Sequence, residues 1–152
     1  MAYKTKYKPE NPEKYLGNIN SIICRSLWER RVCKFFDMNR NVIKWSSEEL
    51  SIPYYSNVDN KWHKYYPDFL IEKISSSNKK EILLIEVKPK RQTEKPIRGK
   101  KKKKTYITEC IQYEINQAKW KAAREYSNKK GWFFKVLTEN DIFPINKNKG
   151  LT

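Results

Sequence analysis

The chain has 152 residues, which is enough for one compact domain and too few for two. Its 33 basic residues outnumber 17 acidic ones, and the formal charge of +16 indicates a polyanionic partner. No apolar stretch approaches the ~18 residues of a membrane span, and no signal-peptide core is present. The composition therefore favours nucleic acid over a membrane surface and predicts a soluble, intracellular protein.

The three cysteines, Cys24, Cys33 and Cys110, are widely spaced, and none belongs to a Cys-x-x-Cys pair. A four-ligand zinc site would require all three to converge with His63, the single histidine. Buried thiols in a reducing compartment are the simpler interpretation.

Composition divides the chain into three parts. Residues 1–18 are polar, with several lysines and prolines, and predict an extended arm. Residues 19–145 carry the apolar periodicity of a single domain, and residues 146–152 predict a flexible tail. Within the domain, residues 90–105 include five consecutive lysines and predict a mobile basic loop, because such a segment cannot bury a core.

A first helix is predicted from about Asn20 to about Met38, with Asn20 or Ser21 as its N-cap. Apolar residues recur at helical spacing and predict a core-facing stripe, which consists of Cys24, Leu27, Trp28, Val32, Phe35 and Phe36. Glu29 lies at the margin of this stripe. It is either a surface carboxylate paired with Arg25 or an acidic group that the helix delivers to the strands that follow.

The next segments predict a connection and then three strands. We interpret residues 42–45 as the connection. Residues 50–55 predict a strand, and Pro53 places this strand at a sheet edge. A turn at residues 57–60 leads to residues 62–71, which pair back as a hairpin. With residues 81–88 as the next strand, the pattern predicts a three-stranded meander.

Charged residues stand at the ends of two of these strands. Asp68 follows Pro67, while Glu86 and Lys88 share one strand face at a spacing of ~7 Å. Pairing of the strands would bring Asp68 beside Glu86, and converging carboxylates repel unless a cation such as Mg²⁺ joins them. An ordinary surface pair between Glu86 and Lys88 is the alternative.

The predicted basic loop follows this strand directly and would therefore lie over the acidic residues. Its candidate phosphate ligands are Lys90, Arg91, Lys100, Lys101, Lys102, Lys103 and Lys104. A solvated charge run or a nuclear-localisation signal has a similar composition. Phosphate contacts carry no sequence information, and no base-reading helix is evident, so little sequence specificity is expected.

A second long helix is predicted over residues 106–129, ended by Gly131. Its apolar stripe consists of Ile111, Ile115, Ala118, Ala122 and Tyr126. Asn116 and Lys119 lie beside the stripe, either as solvated polar groups or as groups that face a phosphate of the polyanionic partner. Residues 132–137 predict an interior strand, parallel to the preceding strand because a helix joins the two.

Five segments occur in an order that resembles PD-(D/E)xK nucleases, in particular the head-completion nucleases of tailed phages and the catalytic domain of TnsA-type endonucleases. The segments are Arg25-Ser26-Leu27-Trp28-Glu29, Tyr66-Pro67-Asp68, Ile85-Glu86-Val87-Lys88-Pro89-Lys90, Asn116-Gln117-Ala118-Lys119-Trp120-Lys121-Ala122-Ala123 and Lys135-Val136-Leu137-Thr138-Glu139. The resemblance implies an α/β fold with a central mixed sheet of about four strands flanked by helices. It also implies that Glu29, Asp68 and Glu86 are metal ligands and that these three, with Lys88, are catalytic.

The resemblance further implies an endonuclease that hydrolyses double-stranded DNA with Mg²⁺, for which Mn²⁺ can substitute. Portal or neck proteins are the implied partners, in the host cytoplasm during phage assembly or in the virion, with no membrane and no small-molecule cofactor. One alternative is a non-catalytic virion protein that grips packaged DNA, and another is a DNA-binding module without a phage role. Clustered carboxylates argue against both, because a phosphate-binding surface gains nothing from them.

Overall fold

A computed structural model describes residues 3–143 of the protein. In chain order its elements are β1 (Thr5–Lys6), β2 (Ile23–Cys24), α1 (Leu27–Met38), β3 (Val42–Ser47), β4 (Ile52–Ser56), β5 (Lys61–Tyr65), β6 (Phe69–Ile74), β7 (Lys80–Val87), α2 (Lys103–Lys130), β8 (Phe133–Leu137) and α3 (Glu139–Ile142). Within residues 3–143, no helix combines the length and hydrophobicity that crossing a membrane requires. The tail predicted at residues 146–152 lies outside the described residues.

A mixed sheet of four strands, in the order β3-β6-β7-β8, forms the centre of the fold. Strand β6 is antiparallel to both β3 and β7, whereas β8 is parallel to β7, as expected for a helix crossover. Alternate residues of the sheet face the two long helices: Ile85 packs in the cluster that contains α1, and Leu84 in the cluster that contains α2. The predicted α/β fold, with helices flanking a mixed sheet, is confirmed.

Two strand predictions were wrong. Residues 42–45, predicted as a connection, begin strand β3, where Trp45 is fully buried. Strand β8 was expected in the sheet interior but lies at its edge, with Phe133 55% exposed. Strand β8 was misplaced because apolar character shows that a strand is covered, whereas tertiary pairing decides its position in the sheet. Residues 42–45 were misassigned because the polar residues after Trp45 hid the rest of the strand.

The predicted meander was also wrong, because residues 62–71 do not form one strand. Strands β4 and β5 pair as a separate hairpin, and the chain breaks at residues 66–68 before β6 joins the central sheet. Pro67 explains the break, since it has no N–H to donate to a strand ladder. The hairpin packs on α2 through Ile52, Tyr54 and Trp120.

Helix α1 begins later than predicted, at Leu27, and Ser26 is its N-cap: the Ser26 hydroxyl accepts a hydrogen bond from the Glu29 N–H at 3.0 Å. Ile23 and Cys24 instead extend and pair with β1. The predicted stripe was therefore partly wrong. Leu27 and Phe35 are 66% and 57% exposed, and Cys33 occupies the core beside Cys24.

Helix α2 begins at Lys103, earlier than predicted, and ends at Gly131, whose φ of 73° is the left-handed conformation that favours glycine. Ile111, assigned to its stripe, is 42% exposed. Trp120, not assigned to it, is buried among the hairpin residues. The early start places Lys103 and Lys104 in the first turn of the helix.

The segment predicted as an extended arm lies against the domain. Tyr7 and Tyr15 are buried in the core with Trp45. The Asp37 carboxylate, at the end of α1, accepts hydrogen bonds from the Tyr7 hydroxyl (2.7 Å) and from the backbone N–H groups of Glu10 (2.7 Å) and Asn11 (3.0 Å). One buried carboxylate thus ties the N-terminal segment to the first helix.

We expect Asp37→Asn to lower the free energy of unfolding at pH 7 by about 3 kcal/mol, because an amide group cannot accept all these bonds. Burial raises the pKa of Asp37, but the bonds from Tyr7, Glu10 and Asn11 outweigh it and hold the pKa below its usual value. This contribution to stability is present above the unfolded-state pKa of about 3.9 and is lost as the pH falls through the lower folded-state pKa.

Urea unfolding of both proteins between pH 2 and pH 7 tests this expectation, with exposed Asp59→Asn as the control. The difference between wild type and Asp37→Asn should shrink towards zero at the acid end. A difference that stays constant with pH would show that the carboxylate charge plays no part.

Candidate active site

Asp68 lies where β6 begins and β7 ends. Its carboxylate accepts a hydrogen bond from the Val87 N–H at 2.7 Å. Its backbone carbonyl accepts a second bond, from the Glu48 N–H at 3.1 Å. Asp68 is therefore fixed between the two central strands and the residue that follows β3.

Glu86 and Lys88 contact each other at the end of β7, as expected for residues two apart in a strand. Glu86 is only 7% exposed, and its Oε2 lies 3.4 Å from the Lys88 Nζ. The Tyr65 hydroxyl donates a 2.5 Å hydrogen bond to the other carboxylate oxygen of Glu86. Burial and the nearby Glu86 raise the pKa of Tyr65, so this hydroxyl remains a donor.

Three carboxylates gather at the same edge. Glu29, Glu48 and Asp68 each place an oxygen within 4.8 Å of the other two. Glu86 is not a member of this group of three. The structure thus brings Glu29 and Asp68 together and adds Glu48, which sequence reasoning missed.

Glu48 reaches the cluster because of strand register. Ser47, the last residue of β3, pairs with Phe69, so the residue that follows it lies opposite Asp68. Glu48 adopts a positive φ of 54°, uncommon for a residue with a side chain. Recognising residues 42–47 as a strand beside β6 would have pointed to Glu48.

Arg25 pairs through its guanidinium with Glu48, and not with Glu29 as the surface interpretation of Glu29 required. Its guanidinium bonds Glu48 at 2.9 Å and 3.1 Å, while its backbone N–H donates to the Glu29 carboxylate at 3.1 Å. Arg25 therefore holds two of the three carboxylates in place and offsets part of their charge.

The electrostatics of the cluster favour a bound cation. Burial raises the pKa of Asp68 well above its usual value, and Glu86 and Glu29 raise it further. Burial also raises the pKa of Glu29. The hydrogen bond from the Arg25 N–H lowers this pKa, and the negative charge of Glu48 raises it. Oxygen ligands on one Mg²⁺ stand about 3–4 Å apart at bond lengths of about 2.1 Å. The three carboxylate oxygens would therefore need to move only slightly closer together to bind one hard divalent cation.

Two polar residues of α2, Lys119 and Asn116, are partly or fully buried. The Lys119 Nζ is 5.7 Å from the Tyr65 ring centroid and 5.9 Å from that of Tyr54. Burial lowers the pKa of Lys119, while Glu86 raises it. Asn116 is buried, and its side-chain oxygen accepts a bond from Gln112 at 3.0 Å. Neither residue is a solvated helix polar group.

The basic segment is more structured than a solvated run. Residues Lys90–Thr93 form a turn of 3₁₀ helix, and the Lys90 N–H donates to the Glu139 carboxylate at 2.7 Å. Lys101 bonds the Glu109 carboxylate at 2.6 Å and the Ile97 carbonyl at 3.1 Å. Lys101 therefore pins the segment to α2, whereas other lysines of the run are exposed: Lys100, Lys102, Lys103 and Lys104.

Replacing these four exposed lysines by glutamine is expected to weaken duplex binding and to reduce the slope of log K against log[salt] by about 3, since each phosphate contact contributes about 0.9. Fluorescence anisotropy at several salt concentrations measures the slope. The matched control replaces four exposed lysines elsewhere: Lys34, Lys61, Lys79 and Lys129. Equal slopes for the two quadruple variants would remove the basic segment from the DNA interface.

Comparison with known proteins identifies the family of this chain. Residues 39–139 match the family model described as TnsA-like endonuclease N terminal. The chain belongs to this family. Over 146 residues it is also 34% identical to the head completion nuclease of Enterobacteria phage T4, across 93% of this chain and 95% of that protein. No solved structure matches the chain at a significant level.

Membership of the TnsA-like endonucleases confirms the relationship and the fold class that the sequence predicted. The TnsA-like match contains Asp68, Glu86, Lys88 and Glu48, whereas Glu29 lies before its first residue. Glu29 therefore enters the site on structural grounds, through its distance to Asp68 and Glu48.

Proposed function

We propose that the protein is a metal-dependent DNA endonuclease that hydrolyses phosphodiester bonds with little sequence specificity. The observation that carries this proposal is the group of three carboxylates, Glu29, Glu48 and Asp68, within 4.8 Å of one another at the strand edge that also holds the Glu86–Lys88 pair. A protein of charge +16 would not concentrate acids at a DNA-facing edge unless a cation joined them.

Asp68, Glu29 and Glu48 would hold a divalent cation, with Glu86 beside them. A bound Mg²⁺, or Mn²⁺ in its place, polarises a phosphoryl oxygen and lowers the pKa of a bound water. Carboxylate and water oxygens are the ligands that both cations prefer.

Lys88 is the residue that would act on the reacting phosphate. Its ammonium can orient the attacking water or offset the negative charge that develops on the phosphorane-like transition state. Glu86 holds the ammonium at 3.4 Å, and Tyr65 in turn fixes Glu86. Tyr65 of the hairpin therefore helps to position Lys88 through Glu86.

DNA would lie along the basic edge of the domain. The exposed lysines of the basic segment, with Lys90 and Arg91, would bind phosphates, and Lys119 and Asn116 would face the substrate from α2. Such contacts follow the backbone and not the bases, which accounts for low sequence specificity.

The biological setting follows from the relative that carries the name head completion nuclease. We propose that this protein processes double-stranded DNA at the filled phage head before tail attachment, in the host cytoplasm, with portal or neck proteins as partners. Retention of the protein in the virion is part of the same proposal.

Nicking of supercoiled plasmid tests the activity. Wild-type protein is expected to nick the plasmid with Mg²⁺ and to be inactive in EDTA. Glu86→Gln is expected to be inactive, although its side chain can still accept the hydrogen bond from Tyr65. Glu81→Gln, on the same strand but away from the site, is the matched control. Cleavage that survives Glu86→Gln would remove the site assignment, and wild-type DNA binding without cleavage would favour the virion structural protein.

A further inference from the structure

A cavity of about 690 Å³ lies between the basic segment and the N-terminal half of α2. Its lining includes Arg91, Lys95, Ile97, Gln112, Tyr113 and Asn116. The mechanism proposed for the carboxylate cluster does not use this cavity. Its volume exceeds that of one nucleotide base.

The interior of the cavity suits a flat aromatic ligand with polar edges. Tyr113 offers a half-buried ring, and Ile97, 80% exposed, leaves an apolar side chain at the mouth. The side-chain amides of Gln112 and Asn116 are joined at 3.0 Å and present donors and acceptors beside the ring. Aromatic stacking together with amide hydrogen bonds is how proteins hold an unstacked base.

The charges around the cavity suit a phosphate at its rim. Arg91 and Lys95 are exposed at the edge. The lining also contains two acidic residues that would repel a phosphate, Glu94 and Glu109, of which Glu109 is bound by Lys101 at 2.6 Å. The same lysine bonds the Ile97 carbonyl, so it also holds the apolar mouth in place.

The cavity adjoins the candidate active site. Asn116 precedes Lys119 by three residues on α2, a rise of about 4.5 Å, and Lys119 lies over Tyr65, the partner of Glu86. Arg91 follows Lys88 by three residues. A nucleotide bound here would therefore be a near neighbour of the scissile phosphate.

We infer that this cavity binds the base of an unpaired nucleotide next to the cleavage point, so that the favoured substrate is DNA with a single-stranded gap or overhang. A base inside a duplex cannot enter the cavity without leaving its stack. The inference rests on the proposed endonuclease and specifies its substrate class.

The test compares cleavage rates on a gapped duplex and on a fully paired duplex of the same sequence. Wild-type protein should prefer the gapped duplex by about tenfold, the size of one base–aromatic stacking contact. Tyr113→Ala and, as a second variant on the exposed helix face, Gln112→Ala should bring this ratio towards one. Tyr106→Ala, on the same helix but outside the cavity, should keep the wild-type ratio.

A binding experiment separates this inference from the proposed activity. Asp68→Asn protein is titrated with each labelled duplex, which requires no cleavage. The gapped duplex should bind more tightly than the paired duplex, and adding Tyr113→Ala should abolish this difference. That result would support the inference even if wild-type protein cleaves neither DNA. Equal cleavage rates for both duplexes in wild type together with equal affinities in Asp68→Asn, or a preference that both the Tyr113→Ala and the Gln112→Ala variants retain, would overturn it and leave the endonuclease proposal standing.

Discussion

Asp68→Asn is expected to reduce plasmid nicking by on the order of a thousandfold, the upper range for loss of one preorganised electrostatic group. Asp68 belongs both to the nuclease pattern of the sequence and to the group of three carboxylates in the structure. Asparagine keeps an oxygen to accept the Val87 N–H bond, so the backbone around the site should not change. Single-turnover rates at saturating Mg²⁺ measure the loss.

The same substitution is expected to stabilise the metal-free protein at pH 7. Burial, Glu86 and Glu29 raise the folded-state pKa of Asp68, so its contribution to stability is full below the unfolded-state pKa of about 3.9 and is lost as the pH rises through the folded-state pKa. A neutral amide avoids that loss. A gain of about 1 kcal/mol corresponds to roughly 2–4 °C in Tm for a protein of this size.

Thermal unfolding in EDTA checks this result. The gain in Asp68→Asn should be present at pH 7 and absent at about pH 2.5, well below the unfolded-state pKa, where wild-type Asp68 is protonated in both states. Addition of Mg²⁺ should raise the Tm of wild type more than that of the variant. A variant less stable than wild type at pH 7 in EDTA would contradict the electrostatic account of the cluster.

Lys88→Met is expected to reduce the cleavage rate by about 10²–10³-fold, because it removes the ammonium that we propose acts on the reacting phosphate. DNA affinity should change little, since a single phosphate contact is a small part of the interaction of a protein of charge +16. Methionine keeps an unbranched side chain of similar length without the charge.

Rate and affinity must be measured separately to assign the effect. Lys135→Met, an exposed lysine on the neighbouring strand β8, is the matched control. A Lys88→Met rate within about threefold of wild type, at the ~1 kcal/mol scale of an ordinary contact, would mean that Lys88 only pairs with Glu86. An equal loss in Lys135→Met would point to general loss of positive charge.

The sequence predicted those parts of the fold and candidate site that depend on local pattern. Glu86 and Lys88 are two apart in a strand, so their contact follows from strand geometry alone. Asp68 follows a proline that ends one strand and precedes the next, and the pairing of β6 with β7 brings it to Val87. The sheet with helices on both faces followed from the order of helical and strand-like segments.

The missed parts depend on pairing between distant segments. Glu48 joins the cluster only because β3 lies beside β6 in one register, and the polar residues after Trp45 hid that strand. Ile23 and Cys24 continue the helical spacing of α1, but pairing with Thr5 and Lys6 draws them into an extended strand. Tertiary pairing overrode local propensity in both places.

The proposed activity depends most directly on a shared cation at the edge of the sheet. Crystals of the protein soaked in Mn²⁺ and measured for anomalous scattering would locate it. We expect a peak within about 2.2 Å of an Asp68 carboxylate oxygen and of at least one oxygen from Glu29, Glu48 or Glu86. A fully occupied Mn²⁺ elsewhere, or no peak at this edge at saturating Mn²⁺, would contradict a metal-dependent nuclease site at these residues.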